Sequence, residues 1–176
     1  MNKKHSSVLT VLRISLPIII TLLWLAFIYS NSLKTGTESG EQSGKVHAIV
    51  NEVAQNIGIE EPISERTVRK SAHFVEFSVL GVLICADLLC FGVISFRKKL
   101  YVSCLLCLTS IPISAVFASA DELLQNFSKD RGPSFTDVLI DTSGAAAATA
   151  IFIVVFVTVS VVLNRIHSKR HNTILK

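Results

Sequence analysis

Residues 145–163 read AAAATAIFIVVFVTVSVVL, a stretch of apolar and small residues without a charged side chain. The hydrocarbon core of a bilayer is about 30 Å thick, so a helix rising about 1.5 Å per residue needs ~20 mostly apolar residues to cross it. With its polar first turn this stretch gives a span at 141–163, and comparable stretches lie at 14–30, 74–94 and 101–120. The sequence predicts an all-α membrane protein, a four-transmembrane-helix bundle that forms one domain over residues 1–176.

The composition agrees with a membrane location. Of the 176 residues 50% are hydrophobic, and the mean hydropathy of +0.55 is too high for an ordinary soluble domain. The net charge of +4 comes from basic residues that flank apolar spans, which excludes a soluble nucleic-acid-binding protein. The basic N-terminus and apolar first span are similar to a signal peptide, but no small-residue cleavage motif follows at 29–32. An uncleaved first helix is expected.

The basic residues also predict the orientation. Cytoplasmic segments of membrane proteins carry an excess of Lys and Arg. Both termini are therefore predicted to be cytoplasmic, and segments 31–72 and 121–141 are predicted to face outward. Three segments contain basic residues and no acid, namely those with Lys3, Lys4 and Arg13, with Arg97, Lys98 and Lys99, and with Arg165, Lys169, Arg170 and Lys176.

The first outward segment is predicted to hold a loop followed by an amphipathic helix. Residues 32–44 are rich in Ser, Gly, Thr and Glu, a composition typical of loops. Gly58 is expected to end the helix, and Ser64 is expected to cap the next one. Because there is no soluble domain to cover it, the apolar face of the helix is predicted to lie on the outer membrane surface or across the bundle top. Its apolar residues recur at spacings of three and four: Val46, Ile49, Val50, Val53 and Ile57.

The last two spans carry their own structural signals. Pro112 predicts a kink in the third span. Ser134 and Asp137 are spaced as in a capping box, so the last helix is predicted to run over 135–163. Gly144 and Ala148 give this helix a small-residue face that favours close packing against a neighbour.

Two further features of the spans have a structural interpretation. Cys104 and Cys107 have the spacing of metal and redox sites. Cysteine is also a small, easily packed membrane residue, and we favour that interpretation. Asp87, in the inner half of the second span, is expected to reach the interface or to pair with Arg97 or Lys98, and no functional role is assigned to it.

Polar side chains are concentrated where three of the predicted helices leave the bilayer on the same side. Arg69, His73 and Glu76 are four and three residues apart, so they share one helix face. Ionisable groups at the hydrocarbon edge are costly unless they are paired or hydrated. Charge-paired helix ends would explain any single residue, but the convergence of three helices predicts a functional site. Its residues are Arg69, Lys70, His73, Glu76, Asp121, Glu122, Gln125, Arg131, Ser134, Asp137 and Asp141.

Two blocks of the sequence resemble the VanZ-like family of membrane proteins. The first is RKSAHFVEF at 69–77, followed by Leu80-Gly81, and the second is DELLQNFSKDRG at 121–132, followed by Asp137, Asp141 and Gly144. Residues 39–46 are also similar to the family pattern. The chain departs from it at Leu124, where many members have His, and at Phe77, where Tyr is common.

The resemblance implies a multi-pass protein of the bacterial cytoplasmic membrane. The namesake of the family is linked to resistance to teicoplanin-type glycopeptide antibiotics and is thought to act at the cell surface. The resemblance carries over no biochemical reaction, so the chemistry has to be argued from the residues.

The first functional hypothesis is a binding site without catalysis. An anionic lipid headgroup, a polyprenyl phosphate or a cell-wall precursor would bind at the outer rim. Arg69, Lys70 and Arg131 would supply cations for the phosphate, and the backbone N–H groups at 134–136 would add donors. Gln125, Ser134, Asp137 and Asp141 complete this set, although the two acids oppose an anion.

The second hypothesis is a membrane-embedded hydrolase or transferase that acts on a lipid-linked phosphate. His73 would be the general base and Glu76 its orienting partner. Asp121 and Glu122, or the acids at 137 and 141, would act as acid catalysts or hold a divalent cation through oxygen ligands. A transporter is disfavoured, because four spans show no inverted repeat.

Overall fold

The computed structural model describes residues 3–34, 36–59, 61–96, 98–125 and 134–174, and within them the side chains of 3–9, 36–39, 42 and 169–174 are not described. The described residues form helices and contain no strand. The helices are α1 (Lys3–Ser32), α2 (Gly36–Asn56), α3 (Glu65–Cys90), α4 (Leu100–Cys107), α5 (Ser110–Gln125) and α6 (Phe135–Ile174).

Four helical segments are long and apolar enough to cross a membrane, which confirms the predicted number of spans. They are Thr10–Ser32, Glu65–Cys90, Leu100–Gln125 and Phe135–Ser168. Much of their apolar surface is exposed, as at Leu23, Val116 and Ile151, which is expected of side chains that face lipid. The first, second and fourth segments begin several residues before the predicted spans, because their first polar turns are helical too, and the third begins one residue earlier, at Leu100. The fourth helix also continues beyond Leu163, over 40 residues in all.

The third segment consists of two helices, α4 and α5, with a break at residues 108–109. Pro112 has no N–H to donate to the carbonyl of Leu108, four residues earlier, and its ring would clash with that carbonyl. The predicted irregularity is present, but it lies one turn before the proline. Below the break, Ser110 Oγ and Thr149 Oγ1 lie 2.7 Å apart and connect α5 to α6.

Helix α2 ends as predicted but begins earlier. Gly58 has a φ of +89°, and the N–H groups of Ile59 and Gly58 donate to the carbonyls of Ala54 and Gln55 at 2.9 and 3.0 Å. This is a Schellman end, which requires a left-handed residue at Gly58. The predicted loop at 32–44 is wrong for residues 36–44, which belong to α2.

Contacts with the segment leading into α3 explain this correction. Low helix propensity is a weak preference that tertiary contacts override. Ser43 Oγ donates to Glu65 Oε1 at 2.5 Å, and Asn51 Oδ1 accepts from the N–H of Ile63 at 2.7 Å. The apolar stripe of α2 is a helix face, and Ile49 and Val53 on it are exposed. Ser64 caps α3 as predicted, since its hydroxyl accepts from the N–H of Thr67 at 3.2 Å.

Helices α3 and α6 run parallel and pack closely at two glycines. A Cβ built on Gly144 would lie 2.2 Å from the carbonyl oxygen of Phe74, and one on Gly81 would lie 2.9 Å from that of Ala145. The hydroxyl of Ser78 donates to the carbonyls of Phe74 and Gly144 at 2.7 and 3.0 Å. The predicted small-residue face of α6 is therefore the α3 interface.

Two apolar clusters lie along this helix pair. One contains Leu25, Ile28, Phe77, Leu80, Ile84 and Ala118, and the other Cys85, Ile94, Cys107 and Phe156. The four cysteines are free thiols, and Cys85 and Cys107 are buried in the second cluster. Asp87 accepts a hydrogen bond from the hydroxyl of Thr21 at 2.8 Å, while Lys98 donates to the carbonyls of Gly92 and Val93. The expected pairing of Asp87 with Lys98 is therefore wrong, and Arg97 lies outside the described residues.

The Gly144→Ala substitution is expected to destabilise the folded bundle by about 1–3 kcal/mol, because the added methyl group collides with the backbone of α3. Thermal unfolding of the detergent-purified protein, together with its yield in membranes, measures the loss. Gly40→Ala is the matched control, since a Cβ there meets nothing within 4 Å. Equal unfolding temperatures for the two variants would contradict the close α3–α6 contact.

Candidate functional site

The N-terminal ends of α3 and α6 and the C-terminal end of α5 lie together, and we call this region the polar end of the bundle. Residues of all three helix ends line one cavity, so these ends lie at the same level of the bundle. Four of the predicted site residues are buried there between the helices rather than in contact with lipid: Asp121, Glu122, Gln125 and Asp141. Buried acids require partners, so the contacts of each one indicate its role.

Three ligand-type side chains converge at this end, one from each helix. His73 of α3, Asp121 of α5 and Asp141 of α6 each place one ring nitrogen or carboxylate oxygen within 4.8 Å of the other two. Gln125 Nε2 donates to Asp121 Oδ2 at 3.1 Å. Among the described residues neither carboxylate oxygen of Asp141 has a hydrogen-bond partner, although its side chain is only 1% exposed. We call these three residues the His-Asp-Asp cluster.

Two other acids have structural partners. Glu122 Oε2 accepts the backbone N–H of Ser134 at 2.7 Å, immediately before α6 begins. The capping-box interpretation is therefore wrong in one respect, because the carboxylate at Ser134 comes from α5 and not from Asp137. Asp137 instead pairs with Lys70 of α3 at 2.5 Å. Both contacts hold the start of α6 against its neighbours.

Helix α1 contributes Asn31 and Trp24, and Lys34 follows just after its end, and the sequence analysis missed all three. Asn31 Nδ2 donates to Glu76 Oε1 at 3.1 Å, and Lys34 Nζ donates to Asn31 Oδ1 at 2.8 Å. Trp24 on the same helix donates its indole N–H to the carbonyl of Glu76 at 2.9 Å. The available signal was a polar Asn at the end of an apolar span, but its partner depends on how α1 packs against α3.

The predicted His73–Glu76 pair is close but is not hydrogen-bonded at this distance. His73 Nδ1 and Glu76 Oε2 are 3.9 Å apart, whereas a general base and its partner work at about 2.6–3.2 Å. Glu76 accepts its described hydrogen bond from Asn31. Glu76 thus lies next to the His-Asp-Asp cluster, on the Nδ1 side of the His73 imidazole.

A small open cavity leads into the polar end. Its inner volume is about 20 Å³, roughly enough for one water molecule, and its mouth is open to the surface. The Arg69 guanidinium at its rim is exposed and has no ion-pair partner in the part of the chain that the structure describes. Ser134 is not among the lining residues, and Arg131 lies outside the described residues. The lining consists of Arg69, Lys70, His73, Glu122, Gln125, Asp137 and Ile140.

Comparison with protein families gives a match that covers both halves of the site. A sequence model of the VanZ/LLP1 family matches residues 17–157, which include α3, α5 and the first half of α6. No functionally curated protein and no solved structure matches the chain. The match extends over most of the chain and joins the two blocks that carry the polar residues. The chain is therefore a multi-pass membrane protein that belongs to the VanZ/LLP1 family.

Proposed function

We propose that this VanZ/LLP1 protein binds the phosphate or pyrophosphate group of a lipid-linked cell-envelope ligand at the outer face of the bacterial cytoplasmic membrane. The observation that carries the proposal is the cavity at the polar end, which has at its rim an exposed cation, Arg69, that forms no ion pair with another described residue. Arg presents a planar fork of donors that matches two phosphate oxygens and is always charged. A lipid-linked phosphate lies at the level of such a rim, because its chain remains in the bilayer.

The other lining residues support recognition of a phosphate group. Lys70 lies one residue from Arg69 and is half-buried, so its ammonium group can exchange between Asp137 and a bound anion. Gln125 lines the same cavity and provides a further N–H donor. An anion at the mouth of the cavity would therefore meet two cations at the rim and a polar donor on the wall.

The outward orientation is supported by the charges at the opposite end of the bundle. Lys98 and Lys99 lie between α3 and α4, and Arg165 lies near the far end of α6. The positive-inside rule places that end in the cytoplasm. A ligand of the polar end would then be a component of the outer leaflet or the cell wall. Sequestering or shielding such a component would lower the susceptibility of the cell to teicoplanin-type antibiotics. The family resemblance implies a role of this kind.

The orientation is tested by cysteine labelling of intact cells in a background without the native cysteines. Glu61→Cys, just before α3, is expected to react with an impermeant maleimide added outside. Lys99→Cys, at the start of α4, is expected to react only after the membrane is permeabilised. Both positions are exposed in the protein, so a difference in labelling would report the side of the membrane on which each one lies. The reverse labelling pattern would exclude an envelope ligand at the polar end.

Binding is tested with a polyprenyl phosphate added to the purified protein in nanodiscs. Arg69→Gln is expected to weaken binding by about tenfold or more, because a charge-assisted hydrogen bond contributes roughly 1.5–3 kcal/mol. Arg69→Lys is expected to fall between the wild type and the Gln variant. Lipid mass spectrometry of the unsupplemented protein provides an independent measurement of co-purifying ligand.

Arg66→Gln is the matched control, since Arg66 is exposed one turn earlier on α3 and does not line the cavity. Its binding is expected to equal that of the wild type. The proposal is wrong if both variants lose affinity equally, which would indicate general surface attraction, or if neither variant loses any.

The second candidate is a hydrolase or transferase that acts on the same lipid-linked phosphate. The position of His73 beside Glu76 and beside two buried aspartates favours it, because one imidazole then has carboxylates on both sides. In this case purified protein is expected to release phosphate from a polyprenyl pyrophosphate, and Glu76→Gln is expected to abolish the release at unchanged membrane abundance. A wild-type preparation that binds this lipid without turnover would leave binding as the function.

A further inference from the structure

We propose that the His-Asp-Asp cluster binds one divalent transition-metal cation of the zinc or manganese class. The site goes beyond the proposed function and does not depend on it, because the two cations that would bind the phosphate, Arg69 and Lys70, are not among its donors. It also differs from the broader sequence expectation of a cation held by carboxylate oxygens, since it has a mixed set of one nitrogen and two oxygens.

The cluster is built from three helices. Each donor comes from a different helix, so only the folded bundle brings the three together. Asp121 and Asp141 are buried, and His73 is half-buried at the cavity. The close contact of Gly144 with Phe74 fixes the position of Asp141 relative to His73. Asp141 lies one turn before Gly144, and His73 immediately precedes Phe74.

The buried carboxylate of Asp141 also favours a bound cation. Both of its oxygens are buried without a hydrogen-bond partner among the described residues. A buried acceptor without a partner costs about 1–3 kcal/mol, and a buried charge costs more. Among the described residues Lys70 pairs with Asp137, and Arg69 forms no ion pair. A dication between Asp141 and Asp121 would neutralise both carboxylates at once.

The donor set of the cluster favours a particular class of cation. Calcium and magnesium prefer oxygen ligands only, whereas imidazole favours zinc and the later first-row metals. Three protein ligands with one position left open are typical of zinc sites that bind a further ligand. Manganese also accepts carboxylates together with an imidazole. The donor types therefore favour zinc first and manganese second over calcium and magnesium.

Surrounding residues would orient these ligands. Gln125 donates to Asp121 Oδ2, which fixes that carboxylate in the manner of an outer-shell partner. Glu76 lies 3.9 Å from His73 Nδ1 and can accept a hydrogen bond from the ring after a small movement. Two atoms bound to one ion at ~2.1 Å are at most ~4.2 Å apart, so the ion would draw the donors slightly closer than their present limit of 4.8 Å.

The alternative explanation is a proton shared between Asp121 and Asp141, and a metal titration distinguishes the two. Full-length protein is purified, treated with a chelator, desalted and titrated with Zn²⁺ or Mn²⁺ in equilibrium dialysis, and bound metal is counted by mass spectrometry. We expect one saturable equivalent per chain. Co²⁺ binding adds a visible absorption band and is expected to quench Trp24, the single tryptophan, which contacts the α3 turn after His73.

Variants show whether the bound metal occupies this cluster. Asp141→Asn and His73→Gln are each expected to weaken metal binding by at least 100-fold, since loss of an outer-shell partner alone costs about 10–100-fold. Asp87→Asn is the matched control: it removes a carboxylate from α3 about four turns away, which is hydrogen-bonded to Thr21. It is expected to bind metal as the wild type does. Size-exclusion chromatography checks the fold of every variant.

The outcomes separate this site from the headgroup proposal. Arg69→Gln is expected to lose polyprenyl phosphate and retain the metal. The inference is overturned if the wild type binds no stoichiometric metal, or if folded Asp141→Asn or His73→Gln binds it normally. If Asp141→Asn does not fold, the wild-type stoichiometry and His73→Gln decide the matter. Metal binding without any phosphate binding would support this site and contradict the function proposed above.

Discussion

The close contact between α3 and α6 is the constraint on which the polar end depends. Gly144 and Gly81 allow the two backbones to approach so closely that a methyl group at either position would overlap the neighbouring helix. In a bilayer, where apolar burial does not drive helix association, such packing and the paired Ser78 hydrogen bonds determine which helices associate. Since the helices are parallel, this contact places residues before Gly144 beside residues before Phe74, and the buried acids are positioned accordingly.

The acids at the polar end have two different roles. Glu122 and Asp137 make contacts that hold the start of α6, one to a backbone N–H and one to Lys70. Asp121 and Asp141 lie between three helices, where a pair of negative charges is not stable without compensation. The acids therefore divide by their contacts: two hold the start of α6, and two converge with His73. The conflict between acids and a bound anion is resolved if a cation lies between them.

The sequence predicted the elements well because their signals are local. Apolar length defined four spans, Gly58 and Ser64 defined helix ends, and helical spacing grouped the polar residues of α3. Side-chain partners were predicted poorly, since they depend on how each helix is rotated about its axis. Neither the link from Asn31 to Glu76 nor the choice of Glu122 for Ser134 follows from spacing. The early start of α2 was missed because contacts outweighed composition.

The length of α6 has a consequence for where the bundle can sit in a bilayer. Its 40 residues extend over about 60 Å, roughly twice the hydrocarbon thickness. In a bilayer the exposed Arg165 on its later turns would be attracted to lipid phosphates of one leaflet, and Lys70 and Arg69 to those of the other. Cations at both ends would then resist vertical displacement of the protein. The polar end would stay at a fixed depth, so the thickness of the membrane would affect which headgroups can reach it.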